Sequence, residues 1–244
     1  MKTQLAMLVD SSRCIDCKAC MLSCKVANAV PDGAWRNWVK SGSVQGRMHF
    51  QPGGCMHCAE PTCVQACPTG ATYRDPADGA VKIDRSLCIG CGNCIPACPY
   101  GARYRHPELK VADKCDYCAG RRAQGLQPAC VDTCPTKARV FGDIADPESE
   151  AGRLFREHQG RLAQVANRRT DTKPNMFYLA ATAPLDWPAE ARTPSAMGLM
   201  AGVTPVLRGL VGLTGLGVLA MLGRQLAAGA KDGAEESKED AHVD

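Results

Sequence analysis

The sequence predicts an α+β protein whose cysteine-rich region repeats a unit of strand, cysteine loop, short helix and strand. The first observation behind this prediction is the composition. Sixteen of the 244 residues are cysteine, far above ordinary usage, whereas aromatic residues make up only 5%. A conventional aromatic core is therefore thin, and disulfides, zinc or iron–sulfur clusters must hold this region together.

The second observation is an internal repeat. Residues 10–15 (DSSRCI) align with residues 84–89 (DRSLCI), and the four cysteines of each group stay in register. The exits from three cysteine groups also repeat, as PTGA (68–71), PYGA (99–102) and PTKA (135–138). Two β-prone runs lie beside these groups, AVKID at 80–84 and ARVFGD at 138–143.

The spacing of the cysteines indicates their chemistry. The first and third groups read C-x2-C-x2-C-x3-C, the second C-x2-C-x4-C-x3-C, and the fourth C-x2-C-x11-C-x3-C. Three cysteines with two residues between each pair of neighbours cannot pair into unstrained disulfides, but they can all turn onto one compact centre. The last cysteine of a group lies one helical turn further on, and in two-cluster ferredoxins this residue ligates the other cluster. Proline follows three of the groups and ends the turn without an unpaired donor.

Other uses of these cysteines fit the spacing less well. A disulfide scaffold would not need triplets of this type, and the c-type haem motif is absent from the sequence. A four-cysteine zinc site remains an alternative for the fourth group. Because all sixteen ligand positions are cysteine, the sequence predicts four [4Fe–4S] clusters, with about sixteen iron atoms per chain.

The charge distribution agrees with this prediction. Residues 231–244 carry a net charge of −4, so residues 1–230 carry +8. Many basic residues flank cysteines: Arg13, Lys18, Lys25, Arg103, Lys114, Arg121, Arg122 and Lys137. Four centres of about −2 each, counted with their thiolates, would balance this excess. We therefore expect these side chains to raise cluster potentials.

Two segments resemble a known family. CMHCAEPTCVQACPTGA (55–71) and KCDYCAGRRAQGLQPACVDTCPTKA (114–138) resemble the iron–sulfur subunits of membrane-bound molybdopterin oxidoreductases. This family includes the dimethyl sulfoxide, polysulfide, thiosulfate and tetrathionate reductases, formate dehydrogenase-N and the menaquinone reductase complex of sulfate reducers. The resemblance implies that residues 1–145 form two ferredoxin-like units, each binding two [4Fe–4S] clusters.

The resemblance also implies which cysteines share a cluster. Quartet I is Cys14, Cys17, Cys20 and Cys134. Quartet II is Cys24, Cys115, Cys118 and Cys130. Quartet III is Cys55, Cys58, Cys63 and Cys98. Quartet IV is Cys67, Cys88, Cys91 and Cys94. Unlike nitrate reductase-like members, this chain keeps every ligand cysteine, so a three-iron cluster is not expected. Cys24 departs from the pattern because Lys25, and not proline, follows it.

The function that follows is an electron relay without catalysis of its own. The sequence contains no Ser-His-Asp set, GxGxxG or Walker loop. The resemblance implies partners on both sides, a molybdopterin-type catalytic subunit and a quinone- or haem-bearing membrane subunit. His49, His57 and His106 are candidates for tuning a cluster, or are ordinary satisfied histidines. One alternative is a relay in a membrane-bound hydrogenase or similar redox complex. A nucleic-acid-binding cluster protein is disfavoured because the sequence shows no basic run.

The remaining residues predict an arm, an anchor and a tail. Asp146 and Pro147 are predicted to open a helix that continues through Arg168. An extended arm follows and reaches residue 195, and the resemblance implies that it binds a partner subunit. The apolar face of this predicted helix would be Ala151, Leu154, Phe155, His158, Leu162 and Val165. Residues 196–229 are predicted to form one transmembrane helix, with a buried or interfacial helix as the alternative. Residues 230–244 are predicted to be a disordered acidic tail.

The expected location comes from the resemblance. The first residues do not read as a secretory signal. The family implies a cluster domain on the periplasmic side of a bacterial cytoplasmic membrane, exported together with a catalytic subunit that carries its own signal. The tail would then be cytoplasmic.

Overall fold

The computed structural model describes residues 2–44, 47–165 and 170–179, all within one compact unit. The predicted anchor at 196–229, the acidic tail and most of the extended arm lie outside the described residues. No helix within the described ranges is long and apolar enough to cross a membrane.

The described residues form short strands and short helices, as the repeated unit predicts. The strands are β1 (Leu5–Asp10), β2 (Asn37–Val44), β3 (Arg47–Gly54), β4 (Thr72–Arg74), β5 (Val81–Ile83), β6 (Tyr104–Arg105), β7 (Ala112–Asp113), β8 (Arg139–Asp143) and β9 (Met176–Leu179). The helices are α1 (Ala19–Ala27), α2 (Thr62–Gln65), α3 (Ala119–Arg122), α4 (Ala129–Asp132) and α5 (Glu150–Glu157). The β-prone runs at 80–84 and 138–143 are the strands β5 and β8, so both expectations are confirmed.

A three-stranded sheet organises one half of the molecule. β1 lies in the centre, antiparallel to β8 and parallel to β9. The alternation of β1 divides the core, because Leu5, Met7 and Val9 face the cysteines whereas Ala6 and Leu8 face α5. The sheet therefore separates the cysteine region from a helix packed on the other face.

Three two-stranded ribbons complete the fold. They pair β2 with β3, β4 with β5, and β6 with β7, all antiparallel. The first and fourth cysteine groups lie beside β1, α1, α4 and β8. The second and third groups lie beside the last two ribbons, so the chain shows the two halves that the repeat predicts.

A helix, α5, follows residue 146 as predicted, but both of its predicted ends are wrong. Ser149 is the N-cap and accepts a hydrogen bond from the Gly152 N–H at 2.8 Å, while the Asp146 carboxylate accepts from the Glu148 N–H in the preceding turn. The helix ends at Glu157, because the chain turns through Gly160 at a φ of +85°. Leu162 and Val165 therefore follow the helix and do not extend its face.

The start of the predicted arm is part of the fold. Residues 176–179, all buried, form β9 and pair with β1 through the register Met7 to Met176. Four consecutive apolar residues bury more surface against β1 and α5 than an exposed arm would allow. This segment serves the protein's own core.

Candidate iron–sulfur centres

Quartet I lines one small cavity of about 20 Å³. Cys14 follows a 3-10 turn that Asp10 caps by accepting a hydrogen bond from the Ser12 N–H. Cys20 lies on α1 and Cys134 directly after α4. The structure thus brings the last cysteine of the fourth group to the first three of the chain, in the arrangement that the resemblance implies.

The surroundings of Cys134 favour a thiolate. Burial alone would raise the pKa of this thiol, but hydrogen bonds with the Thr136 hydroxyl and from the Ala138 N–H lower it below its ordinary value. Cys67 has the same arrangement, with contacts from Thr69 and the Thr72 N–H that outweigh burial and lower its pKa. Both cysteines are followed by Pro-Thr, so these contacts come from the repeated exit sequence.

Quartet II lines a second small cavity, also of about 20 Å³. Burial and the neighbouring thiols raise the pKa of Cys24 to about 12, and burial raises that of Cys130 to about 11. Such thiols are protonated unless a metal binds them, because a coordinating thiol loses its proton outright. Since this cavity is as large as that of quartet I, the geometry gives no reason to assign a single zinc ion to one and a cluster to the other.

Quartet III lies mostly in the interior, since Cys55, Cys58 and Cys63 are buried and Cys98 is half-buried. Burial, together with the charges of Cys55, Cys63 and Cys98, raises the pKa of Cys58 to about 12 against a lowering hydrogen bond from Thr172. The four thiols are therefore within electrostatic reach of one another, although they come from two cysteine groups.

Quartet IV is less enclosed. Cys88 and Cys94 pack in an apolar cluster with Val81 and Ala112, and Cys88 Sγ accepts a hydrogen bond from the Ala112 N–H at 3.5 Å. Cys91 is exposed. Cys67 lies on the turn between α2 and β4, and its place in this quartet comes from the resemblance.

No three Cys, His, Asp or Glu side chains in the described ranges converge closely enough to hold one metal ion. The sulfurs of quartets I and II instead surround cavities.

Buried cations provide an independent test of whether the quartets fit an anionic group. Arg103, Lys114 and Arg139 are 5%, 2% and 3% exposed, and within the described part of the chain none forms an ion pair with a carboxylate. The Nε atoms of both arginines also have no hydrogen-bond partner. Buried charges require a partner of opposite sign. Clusters with thiolate ligands carry negative charge, so these residues fit them.

Several known proteins and two protein-family models are similar to this sequence over more than half of its length. Two protein-family models, each described as "4Fe-4S dicluster domain", match residues 13–71 and 46–144. Protein NrfC of Escherichia coli is 43% identical over 177 residues, 70% of this chain and 78% of that protein. A subunit of tetrathionate reductase from Salmonella typhimurium is 38% identical over 180 residues, 71% of each sequence. The thiosulfate reductase electron transfer subunit PhsB of Salmonella typhi is 42% identical over 174 residues, 67% of this chain and 90% of that protein.

The protein belongs to the iron–sulfur subunits of molybdopterin oxidoreductases. The family predicted from the two cysteine segments is therefore confirmed. This iron–sulfur subunit carries 4Fe–4S clusters and serves electron transfer. Both dicluster matches cover cysteine groups that the repeat also identifies.

The histidines of the iron–sulfur subunit differ in their surroundings. His57 is fully buried and stacked on Tyr117, with ring centroids 3.7 Å apart, and its Nδ1 accepts a hydrogen bond from the Val81 N–H. Burial, and then the charge of Lys114, lower its pKa well below the ordinary value, so the ring is neutral. His106 Nδ1 accepts from the N–H groups of Glu108 and Leu109 and closes a loop. His49 lies half-buried on β3. A tuning role for each of the three remains a prediction.

One polar network was not predicted. Arg36 binds both carboxylate oxygens of Asp113 and also donates to Asn28 Oδ1, while the Asn28 amide donates to Cys118 Sγ at 3.4 Å. These residues connect β7 in one half to a cysteine of quartet II in the other. Arg36 and Asp113 are 77 positions apart, and no local pattern in the sequence indicates the pair.

Proposed function

We propose that each quartet holds one [4Fe–4S] cluster, and that the subunit relays electrons along quartets I, II, III and IV in that order. The relay would connect a molybdopterin-type catalytic subunit with a quinone- or haem-bearing membrane subunit. Bound clusters would supply the one-electron carriers. The chain's own residues supply thiolate ligands, exclude water and set the local charge.

The observation that carries this order is the continuity of the quartets. Burial is the main cause that raises the pKa of Cys130, and the charge of Cys20 in quartet I contributes. Burial likewise dominates at Cys115, where the charge of Cys55 in quartet III contributes to the raised pKa. Cys63 and Cys94 share one apolar cluster and join quartets III and IV. Each quartet thus adjoins the next one.

The two ends of this series approach the surface in the same way. Among the sixteen cysteines, Cys17 and Cys91 are exposed, and they belong to quartets I and IV. Ile15 and Ile89 lie in the corresponding turns of the repeat and are 60% and 69% exposed. Redox centres of partner subunits can therefore approach the two terminal quartets, whereas the middle quartets lie between them.

The pairing of cysteines is tested by single substitutions in the purified complex. Cys67→Ser and Cys91→Ser should alter the same component of the reduced electron paramagnetic resonance (EPR) spectrum, because both belong to quartet IV. Cys63→Ser, four residues from Cys67 but in quartet III, should alter a different one. The pairing is wrong if the effects of Cys63→Ser and Cys67→Ser coincide and that of Cys91→Ser differs.

The partners are tested by gentle solubilisation and purification through this chain, with mass spectrometry of the subunits that accompany it. The relatives from tetrathionate reductase and thiosulfate reductase are named as subunits of those enzymes, which supports a multisubunit complex here. We expect a molybdopterin-type subunit together with an integral membrane subunit. A nickel–iron hydrogenase or a cytoplasmic partner would contradict the proposed complex and leave the iron–sulfur centres unaffected.

The proposed location is the cytoplasmic membrane of a bacterium, with residues 196–229 as a single-pass anchor and the clusters in the periplasm. Its support is the apolar run from Gly209 to Gly223 between Arg208 and Arg224, together with the family resemblance. Alkaline carbonate extraction should leave the chain in the membrane pellet, and protease added to spheroplasts should reach the cysteine domain. Release into the supernatant, or protection from protease, would contradict the anchor or its orientation.

A further inference from the structure

We propose that Arg103 and Arg139 are equivalent positioning residues, each a cation shared by the two clusters of its half of the molecule. Each guanidinium would favour the reduced state of both clusters beside it. This inference rests on the proposed function in one respect, that quartets I to IV hold clusters.

The two arginines occupy the same place in the repeat. The third group ends in Cys98-Pro-Tyr-Gly-Ala-Arg103, and the fourth ends in Cys134-Pro-Thr-Lys-Ala-Arg139. Each arginine is the fifth residue after the last cysteine of its group. The corresponding residue of the second group is Thr72, so each half of the molecule contains one such arginine.

Arg139 lies between quartets I and II. Its side chain lines both cavities, the one with Cys14, Cys17, Cys20 and Cys134 and the one with Cys24, Cys115, Cys118 and Cys130. Nη2 donates to the Gly53 carbonyl at 3.4 Å, and Nε has no hydrogen-bond partner. One guanidinium therefore faces two cluster sites with donor capacity to spare.

Arg103 has the same relation to quartets III and IV. Its Nη2 donates to Cys63 Sγ of quartet III at 3.1 Å. Its Nη1 donates to Thr72 Oγ1 at 3.3 Å, and the Thr72 N–H donates to Cys67 Sγ of quartet IV at 3.4 Å. A direct bond and one intervening residue thus connect this arginine to a cysteine of each quartet.

The charge balance explains why the cations are shared. Arg36 shows the usual solution for a buried arginine in this chain, an ion pair with Asp113. Arg103 and Arg139 have no carboxylate partner among the residues that the structure describes, although both are at least 95% buried. Within the described ranges, the groups that can compensate them are the anionic clusters. Each reduction adds one negative charge beside the same guanidinium, and net charge and hydrogen bonds to sulfur set cluster potential. Loss of the cation must therefore lower both potentials of that half.

The test compares Arg139→Gln, Arg139→Lys, Arg103→Gln and Arg103→Lys in the purified complex. Arg153→Gln is the matched control, since it removes the same charge from an exposed position on α5. Iron content is measured first, and EPR-monitored redox titration gives the midpoint potentials. Each glutamine variant should decrease the equilibrium constant for reduction of both clusters in its own half at least tenfold. This corresponds to midpoint potentials lower by at least 59 mV for a one-electron couple. The lysine variants should recover most of this loss, and the control should show none.

Several results would overturn the inference. One is a shift confined to a single cluster, and another is a shift of the same size in Arg153→Gln. If a glutamine variant loses iron from both clusters of its half while the lysine variant keeps it, the shared charge is supported; if the lysine variant loses iron equally, the charge role is refuted. A wild-type complex with far fewer than about sixteen irons would instead refute the proposed four clusters.

Discussion

Replacing Arg36 with methionine should weaken the connection between the two halves of the molecule. Arg36 Nε and Nη2 bind the two carboxylate oxygens of Asp113 at 3.0 and 2.8 Å, and the side chains are only 4% and 7% exposed. Methionine keeps much of the length and apolar volume of arginine but leaves the Asp113 carboxylate buried. The variant therefore removes the charge with little loss of packing.

The expected magnitude follows from the groups that remain. Breaking a buried pair by removing one partner costs roughly 3–5 kcal/mol. Asp113 would still accept a hydrogen bond from the Tyr104 hydroxyl and face Arg85, whose side chain is 54% exposed and 3.4 Å away. These partners place the cost near the lower end, about 3 kcal/mol. A double variant with Asp113→Asn leaves no unpaired carboxylate and should recover part of this loss.

Loss of clusters makes unfolding irreversible, so the assay is kinetic. The rate at which cluster absorbance disappears in urea, without oxygen, is compared for Arg36→Met, Asp113→Asn and the double variant. If the pair breaks before the clusters are lost, about 3 kcal/mol corresponds to an acceleration of roughly a hundredfold for Arg36→Met. The double variant should be slower than Arg36→Met. A rate for Arg36→Met within about twofold of wild type, or effects that simply add in the double variant, would refute this reasoning.

Three further predictions follow from single residues. Gly90→Ala should reduce the iron content of quartet IV, because an added Cβ would lie within 3 Å of the Lys110 backbone carbonyl oxygen. Gly101→Ala is the control, since Gly101 also has a positive φ but open space around it, and this variant should keep its iron. Equal iron contents in the two variants would contradict this prediction. Burial would raise the pKa of Asp113, but Arg36 holds it below the ordinary value. The stabilising contribution of this carboxylate is therefore present above about pH 4 and lost as the pH falls through the lowered pKa. Asp113→Asn should accordingly flatten the acid dependence of cluster loss, and an unchanged acid dependence would count against the pair. Ser149→Ala removes the N-cap of α5 and should cost about 1 kcal/mol, seen as faster loss of clusters in urea at unchanged iron content; a rate equal to wild type would show that the cap contributes nothing.

The sequence was informative where the chemistry is local. Cysteine spacing identified the ligand groups, and the resemblance supplied the crossed pairing that the cavities of quartets I and II reproduce. The repeated exits PYGA and PTKA were also visible in the sequence, but Arg139, which follows the second of them, was not predicted, and only the fold shows that Arg103 and Arg139 each face two quartets.

Non-local contacts limited the rest. Strand β9 pairs with β1 across most of the chain, and its four residues, MFYL, lie in a proline-rich stretch that reads as an arm. At the start of α5, Asp146 followed by proline fits the general preference for a helix N-terminus as well as Ser149 does. Where the helix begins depends on the backbone of Asp146. Its carbonyl oxygen packs so closely on Gly152 that position 152 admits no side chain.

The most direct test of the central claim is the iron, sulfide and zinc content of this chain in the complex purified without oxygen, after subtraction of any haem iron or cluster that the partner subunits carry. The four quartets predict about sixteen irons, an equal amount of acid-labile sulfide and no zinc. About twelve irons with one zinc would show that the cysteines of quartet II hold a structural zinc ion, and the continuous relay through four clusters would be wrong.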